Sequence, residues 1–265
     1  DPSEVRERNI LRQGDRTATS QKLDESVGLE GTLSRAKDLS VWDEKRAEYE
    51  EWNEAHEDLK RGIGLSTVMY GVGMGASAPF LEKAGSYVKL EVDGTLTLSV
   101  GNTEMGQGAE TGLSQIAADG LGVDLQRINL TEIDTSRVPD SGPTVASRTT
   151  TMAGNAIIDA LDKLKYRIKP VAKSMLGAAE VRFEEGYIVD SSEKRNRVPL
   201  EEVAEEMWSR NVDLAAEGWA KKGMKNWDPS TGQGDAYFVY SYATHVSEVE
   251  IDIISGKPRI LKHVA

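Results

Sequence analysis

Residues Gly101-Asn102-Thr103-Glu104-Met105-Gly106-Gln107-Gly108-Ala109-Glu110-Thr111 decide how this chain is read, because glycine frees the backbone where strand patterning gives way to helix patterning. Upstream, Tyr87 to Val92 and Thr95 to Val100 alternate apolar and polar residues around Asp93-Gly94, a hairpin signature. Val88, Leu90 and Val92 are expected on one face with Leu96, Leu98 and Val100. Downstream, Ala109, Leu113, Ile116, Ala117 and Leu121 recur at helical spacing, and Gly122 is placed to stop the helix. Gly106 and Gly108 therefore fall in the turn between strand and helix. Glycine there permits positive φ and lets a ligand lie against main-chain amides, while the open amides of a helix start favour anionic oxygen. Gln107 adds a donor and an acceptor, which suits the edge of a heterocycle.

A second segment, Pro143-Thr144-Val145-Ala146-Ser147-Arg148-Thr149-Thr150-Thr151, crowds hydroxyls and a guanidinium onto the start of another helix. Met152, Ala153, Ala156, Ile157, Ala160, Leu161, Leu164 and Ile168 form the apolar stripe behind it. Ser147 and Thr149 to Thr151 can cap that helix or bind a ligand, and Arg148 offers a forked donor set. Each segment alone is also explained by a capped helix and a glycine turn. Together in one chain they point to a site for a phosphate-bearing cofactor.

Glu104-Met105-Gly106-Gln107-Gly108 with Thr111, then Asp134-Thr135, Val138-Pro139, Pro143-Thr144, Ala146-Ser147 and Gly154, resembles the molybdopterin-binding subunit of the xanthine dehydrogenase and aldehyde oxidase family. Ser247-Glu248-Val249-Glu250-Ile251-Asp252 with Gly256 continues the likeness, as the strand and turn that return towards the active site in that family. The resemblance runs from about Gly62 to the C-terminus. It implies an α+β fold with mixed and antiparallel sheets and packed helices. It also implies a molybdenum hydroxylase, in which a pterin-bound molybdenum centre adds water-derived oxygen to an aldehyde or an N-heterocycle. By the family pattern, Gly106, Gln107, Gly108 and Thr111 contact the pterin or its phosphate, and Ala146, Ser147, Arg148 and Thr149 line the cofactor near the metal. The cofactor implied is molybdenum-molybdopterin, in the cytosine dinucleotide form common in bacterial members. The pterin supplies the metal's sulfur ligands, so no metal ligand is expected from the protein.

The family's catalytic glutamate, in a Gly-x-Gly-Glu context, belongs beyond the point corresponding to Ala265, so no catalytic residue is expected in this chain. An earlier half of the cofactor-binding region belongs before Asp1. The chain is therefore expected to work with the remaining part of a molybdenum subunit, with iron-sulfur and flavin subunits or domains, and with a small-molecule substrate, and to be inactive alone. Two other classes stay open: a non-catalytic assembly module that keeps the fold, and a generic nucleotide-binding protein.

Composition bounds these readings. The 265 residues suffice for one large domain or two small ones. With no cysteine, iron-sulfur ligation and disulfides must lie elsewhere, and a cytoplasmic setting is suited. The formal charge of −12 argues against a nucleic-acid surface. The most apolar region, Gly62 to Leu81, is broken by glycines and Pro79, which argues against a membrane span. His56, His245 and His263 lie far apart in sequence and show no zinc spacing; a packed or hydrogen-bonded role is expected for His245. Gly71-Val72-Gly73-Met74-Gly75 lacks the following helix of a dinucleotide fingerprint and reads as a turn.

Residues 1–61 read as a charged helical arm, with one or two short helices in 1–40 and a further helix over Val41 to Arg61 carrying Trp42, Tyr49, Trp52, Ala55 and Leu59 on its apolar edge. Residues 62–265 read as the α+β domain, with a helix and hairpin section near 171–220. Within it, Pro170 is expected to kink or restart the long helix, and Val181 to Asp190 to fold on Glu185-Gly186. Pro199 to Trp208 reads as a helix, Leu214 to Ala220 as a strand and Gly223 to Asp235 as a loop. Two strands, Tyr237 to Asp252 and Arg259 to Val264, follow.

Overall fold

The computed structural model describes residues 1–221 and 226–265. Its helices are α1 (Pro2–Asn9), α2 (Leu29–Ser40), α3 (Trp42–Ala55), α4 (Ala109–Leu121), α5 (Thr149–Leu176) and α6 (Leu200–Ser209). Its strands are β1 (Leu59–Gly71), β2 (Lys83–Leu90), β3 (Leu96–Ser99), β4 (Ile128–Leu130), β5 (Val181–Glu184), β6 (Tyr187–Asp190), β7 (Arg197–Pro199), β8 (Ala215–Lys221), β9 (Tyr240–Asp252) and β10 (Pro258–Val264). This is the expected α+β class, with antiparallel and mixed sheets. The chain forms two compact units, Asp1–Ala76 with Met224–Ala265, and Ser77–Gly223. A division at residues 61 and 62 would cut β1 within its pairing with β9. The first part of the loop expected over 223–235 lies outside the described residues.

In the first unit, β1 and β9 pair antiparallel from Leu59↔Asp252 to Gly71↔Tyr240, and β10 lines the other side of β9. Strand periodicity sends Thr244, Val246, Glu248 and Glu250 to a covered face. There α2 packs on β9 and α3 on β1, around Ala36, Trp42 and Val246. The α3 stripe is shorter than expected: Trp42 and Tyr49 are buried, while Leu59 opens β1 and is exposed. The carboxylates of the Glu248-Val249-Glu250 run are used structurally. Tyr49 Oη donates to Glu248 Oε2 at 2.5 Å, and burial followed by this contact pushes the phenol up. Arg61 Nε donates to Glu250 Oε2 at 3.0 Å while its guanidinium stacks on Trp52, and Arg259 donates to Glu250 Oε1 at 2.8 Å. His245 and His263, far apart in sequence, meet across β9 and β10, with Nδ1 and Nε2 3.3 Å apart.

The second unit carries the two segments of interest. Its main sheet has the order β4-β3-β2-β8, with β2 antiparallel to β3 and β8, and β3 parallel to β4. Val88↔Leu98 and Leu90↔Leu96 face the core as the alternation predicts. Val92 does not, being 45% exposed: the turn closes earlier, with Glu91 N–H donating to Thr95 O and Gly94 N–H to Glu91 O. All eight apolar residues predicted for the α5 stripe are buried. The helix passes through Pro170 without restarting. That residue lies on the exposed side, so the carbonyl left without its N–H donor, on the exposed Tyr166, can meet water. The β5–β6 hairpin turns at Glu185-Gly186 as expected, and β7 joins β6 ahead of α6.

Strand β8 is the edge of the main sheet, and α5 covers its unpaired main-chain groups. Asp159 Oδ2 accepts from Trp219 N–H at 2.9 Å, Lys163 Nζ donates to Glu217 O at 2.9 Å, and Arg167 donates to Ala215 O. Helix spacing of four thus matches strand spacing of two, and the edge is closed to strand addition.

Candidate functional site

The loop 101–108 connects β3 to α4, and α4 leads back to β4 parallel to β3, so the loop sits at the carboxyl end of a strand in a β-α-β unit. That is where such units commonly bind ligands. Gly106 (φ 98°) and Gly108 (φ 78°) adopt the left-handed backbone that the glycines were expected to allow. Their amides are not open, however. Glu104 Oε1 accepts from Gly106 N–H at 2.7 Å and from Gly108 N–H at 3.0 Å, and Oε2 accepts from Glu110 N–H at 3.2 Å. A carboxylate from the loop itself fills the amide cluster that sequence patterning reserved for an external anion.

Gln107 also closes on its own loop. Its Oε1 accepts from Met105 N–H at 2.6 Å and its Nε2 donates to Thr103 O at 2.9 Å. A side-chain amide has two N–H groups and two acceptor sites, so one of each remains for a ligand. Gly106, Gln107, Gly108 and Thr111 are all exposed, with Met105 at the tip 69% exposed.

Main-chain bonds from the base of this loop reach the second segment. Gly101 N–H donates to Ser141 Oγ at 2.8 Å, and Thr103 N–H donates to Thr144 Oγ1 at 2.8 Å. Ser141 Oγ in turn donates to Gly85 O at 2.7 Å, which ties both loops to β2. Between the two amide links lies Asn102, 2% exposed, with neither side-chain amide atom hydrogen-bonded. Such groups in a native fold call for a partner that is absent from the protein itself.

Ala146 and Ser147 are exposed, and Ala146 takes a left-handed φ of 49°, an uncommon conformation that tends to gather at functional loops. Thr149 opens α5 and its buried Oγ1 has no hydrogen-bond partner. Arg148 departs from the expectation of a ligand contact. Its side chain is fully buried and donates to the carbonyls of Ser141, Pro143 and Lys83, with Nε 3.8 Å from Glu82 Oε2. Burial lowers its pKa, against the pull of Glu82 and Asp140. Arg148 braces the loop from inside.

Sequence reading thus located both loops. It missed Ser141 and Asn102, and it left Glu104 and Thr144 as motif letters without roles. Thr144 carried a signal, a hydroxyl in the family motif. Asn102 carried none, because nothing in sequence separates a buried orphan amide from a turn asparagine.

Glu104 gives a testable pH effect. Its carboxylate is held below the usual glutamate range by the N–H of Gly108 first, then those of Glu110 and Gly106. A depressed folded-state pKa stabilises the loop above the unfolded pKa, and that contribution is lost as pH falls through the folded value. The amide shifts of Gly106, Gly108 and Glu110 in nitrogen-15 spectra are expected to hold steady through neutral and weakly acidic pH and to move together only below the ordinary glutamate range. A midpoint at or above that range would show that the carboxylate does not hold the loop.

No helix among the described residues is long and apolar enough to cross a membrane, and no group of three or more metal-ligating side chains is found among them. A glycine loop between strand and helix, tied to a hydroxyl-rich loop that opens a second helix, defines a cofactor-binding α+β domain. The chain belongs to the molybdopterin cofactor-binding domain family, whose model matches residues 35–265. It is similar to xanthine dehydrogenase 2 of Arabidopsis thaliana, 29% identical over 255 residues that cover 96% of this chain and 17% of the relative. Among solved structures, quinoline 2-oxidoreductase of Pseudomonas putida 86 shares the fold with a TM-score of 0.79 at 21% identity, over 99% of this chain and 34% of that one. The aldehyde oxidoreductase of Desulfovibrio desulfuricans gives a TM-score of 0.74 at 26% identity, over 99% of this chain and 25% of that one. The family resemblance read from the two loop motifs is borne out. The chain spans about a sixth of its curated relative, at 17%.

Proposed function

We propose that this chain holds the molybdenum-molybdopterin cofactor of a hydroxylase of the xanthine dehydrogenase and aldehyde oxidase type. The observation that carries the proposal is the lacing of the two motif loops through Ser141 and Thr144 around Asn102, whose buried amide lacks a partner. A ligand with several hydrogen-bonding edges fits such a donor and acceptor set. When bound, the cofactor supplies insertion of water-derived oxygen into a carbon of an aldehyde or N-heterocycle.

The chain's own residues then bind and orient. Gln107 offers its spare N–H and acceptor site to the heterocycle, and the exposed backbone at Gly106 and Gly108 lets the ligand approach closely. Thr111, Ala146, Ser147 and Thr149 complete the lining, the Ser147 and Thr149 hydroxyls suiting the pyrophosphate of a cytosine dinucleotide form. Arg148 holds the second loop in shape and makes no ligand contact. These residues act together with the remaining part of a molybdenum subunit and with iron-sulfur and flavin subunits or domains in the cytoplasm, and do not turn over substrate without them.

Metal and pterin analysis of the protein copurified with its partners tests the reading. Stoichiometric molybdenum and pterin are expected, with retention falling on the order of tenfold in Gln107→Ala. Unchanged occupancy in that variant would remove Gln107 from the site. No cofactor in a folded, correctly partnered complex would favour an assembly module, and preferential ATP binding a nucleotide-binding protein.

A further inference from the structure

Two features of the loop 101–108 bear on which part of a cofactor it can take. First, three amide donors at the turn into α4 are taken: Gly106, Gly108 and Glu110 all donate to the Glu104 carboxylate. Second, the negative charge of Glu104 is joined by Glu110 in the first turn of α4, in a chain of net charge −12. An arriving phosphate would have to displace a covalently tethered carboxylate and then sit beside a second one. The remaining side-chain hydrogen-bonding capacity includes the neutral amides of Gln107 and the buried Asn102.

We propose that Glu104 is a positioning and specificity-determining residue: its carboxylate occupies the phosphate-binding donors of the loop, so that the loop accepts the neutral edge of a heterocycle and rejects an anionic end. The inference rests on the cofactor-binding reading and refines it. It predicts division of labour between the two loops, since α5 opens with no side-chain cap and with the Thr149 hydroxyl unpartnered. Glu104 itself touches no cofactor in this scheme. It acts through the three amides it fixes.

The test is amide exchange by mass spectrometry on the assembled protein, in peptides spanning 101–113, with and without millimolar inorganic phosphate. In the unaltered protein, phosphate is expected to leave exchange unchanged. In Glu104→Ala, exchange without phosphate should rise on the order of tenfold, and phosphate should restore protection by entering the vacated donors. Glu104→Gln keeps an acceptor oxygen of the same reach and should retain most of the protection, which guards against a variant that merely misfolds. Phosphate-dependent protection in the unaltered protein, or an alanine variant indistinguishable from it, would overturn the proposal. Molybdenum and pterin content measured on the same samples separates the two readings: an unaltered protein without cofactor refutes the cofactor site, while the phosphate response still decides what Glu104 does.

Discussion

Replacing Arg148 by methionine is expected to destabilise the protein by about 3–5 kcal/mol, the usual cost of removing one partner of a buried ion pair. Three carbonyls, of Ser141, Pro143 and Lys83, would lose their donor, and the buried Glu82 carboxylate would lose its guanidinium. Loss of the guanidinium beside a buried carboxylate is the larger of the two effects. Arg148→Lys keeps the charge but loses the fork, so it should recover only part of the stability. The double variant Glu82→Gln with Arg148→Met should be more stable than Arg148→Met alone, because a neutral amide then stands where the carboxylate would have lost its guanidinium. Urea unfolding midpoints read all three effects. If Arg148→Met unfolds at the midpoint of the unaltered protein, the brace is not as drawn. Because the same guanidinium shapes residues 141–143, molybdenum content should fall with stability.

The Arg148 result also shows why sequence reading reached the loops and not their wiring. Strand alternation and helical spacing report which side of an element is apolar, so Val88, Leu90, Leu96 and Leu98 and the full α5 stripe were legible. Local sequence also carries turns, and Gly122 stops α4 as expected, its N–H donating to Ala118 O at 2.8 Å. Burial of a charge is decided by distant partners. Arg148 reads as a donor for a bound cofactor until β2 and the 141–143 loop supply its acceptors. Glu104 reads as part of a motif until the backbone folds three downstream amides onto it. His245 and His263 read as isolated because cross-strand neighbours share no sequence spacing. The pairing of β1 with β9 is silent in local sequence for the same reason, since β9 and β10 return to β1 from the far end of the chain.

A second large effect is expected at Gly218, where the edge strand meets the long helix. Ala216, Gly218 and Ala220 face inward from β8, and α5 presents Ala156 and Ala160 to them. All five residues are small, so the helix backbone lies against the strand. A Cβ on Gly218 would overlap the Ala156 carbonyl and stand 2.7 Å from Ala160 N and 2.8 Å from Ser86 Oγ. The first two obstacles are main chain in mid-helix and cannot rotate away. Gly218→Val must therefore push α5 off the sheet, at a cost of about 3 kcal/mol from overpacking. Displacement also breaks the bonds from Asp159, Lys163 and Arg167 that close the β8 edge, so the variant should self-associate as well as unfold early. Unfolding midpoints and light scattering measure the two consequences separately. The helix that would move begins at Thr149, directly after Ser147 and Arg148, so cofactor content should drop even where some folded protein survives. Wild-type stability in Gly218→Val would mean that helix and strand are further apart than the structure places them, and the link between core packing and the second loop would fail with it.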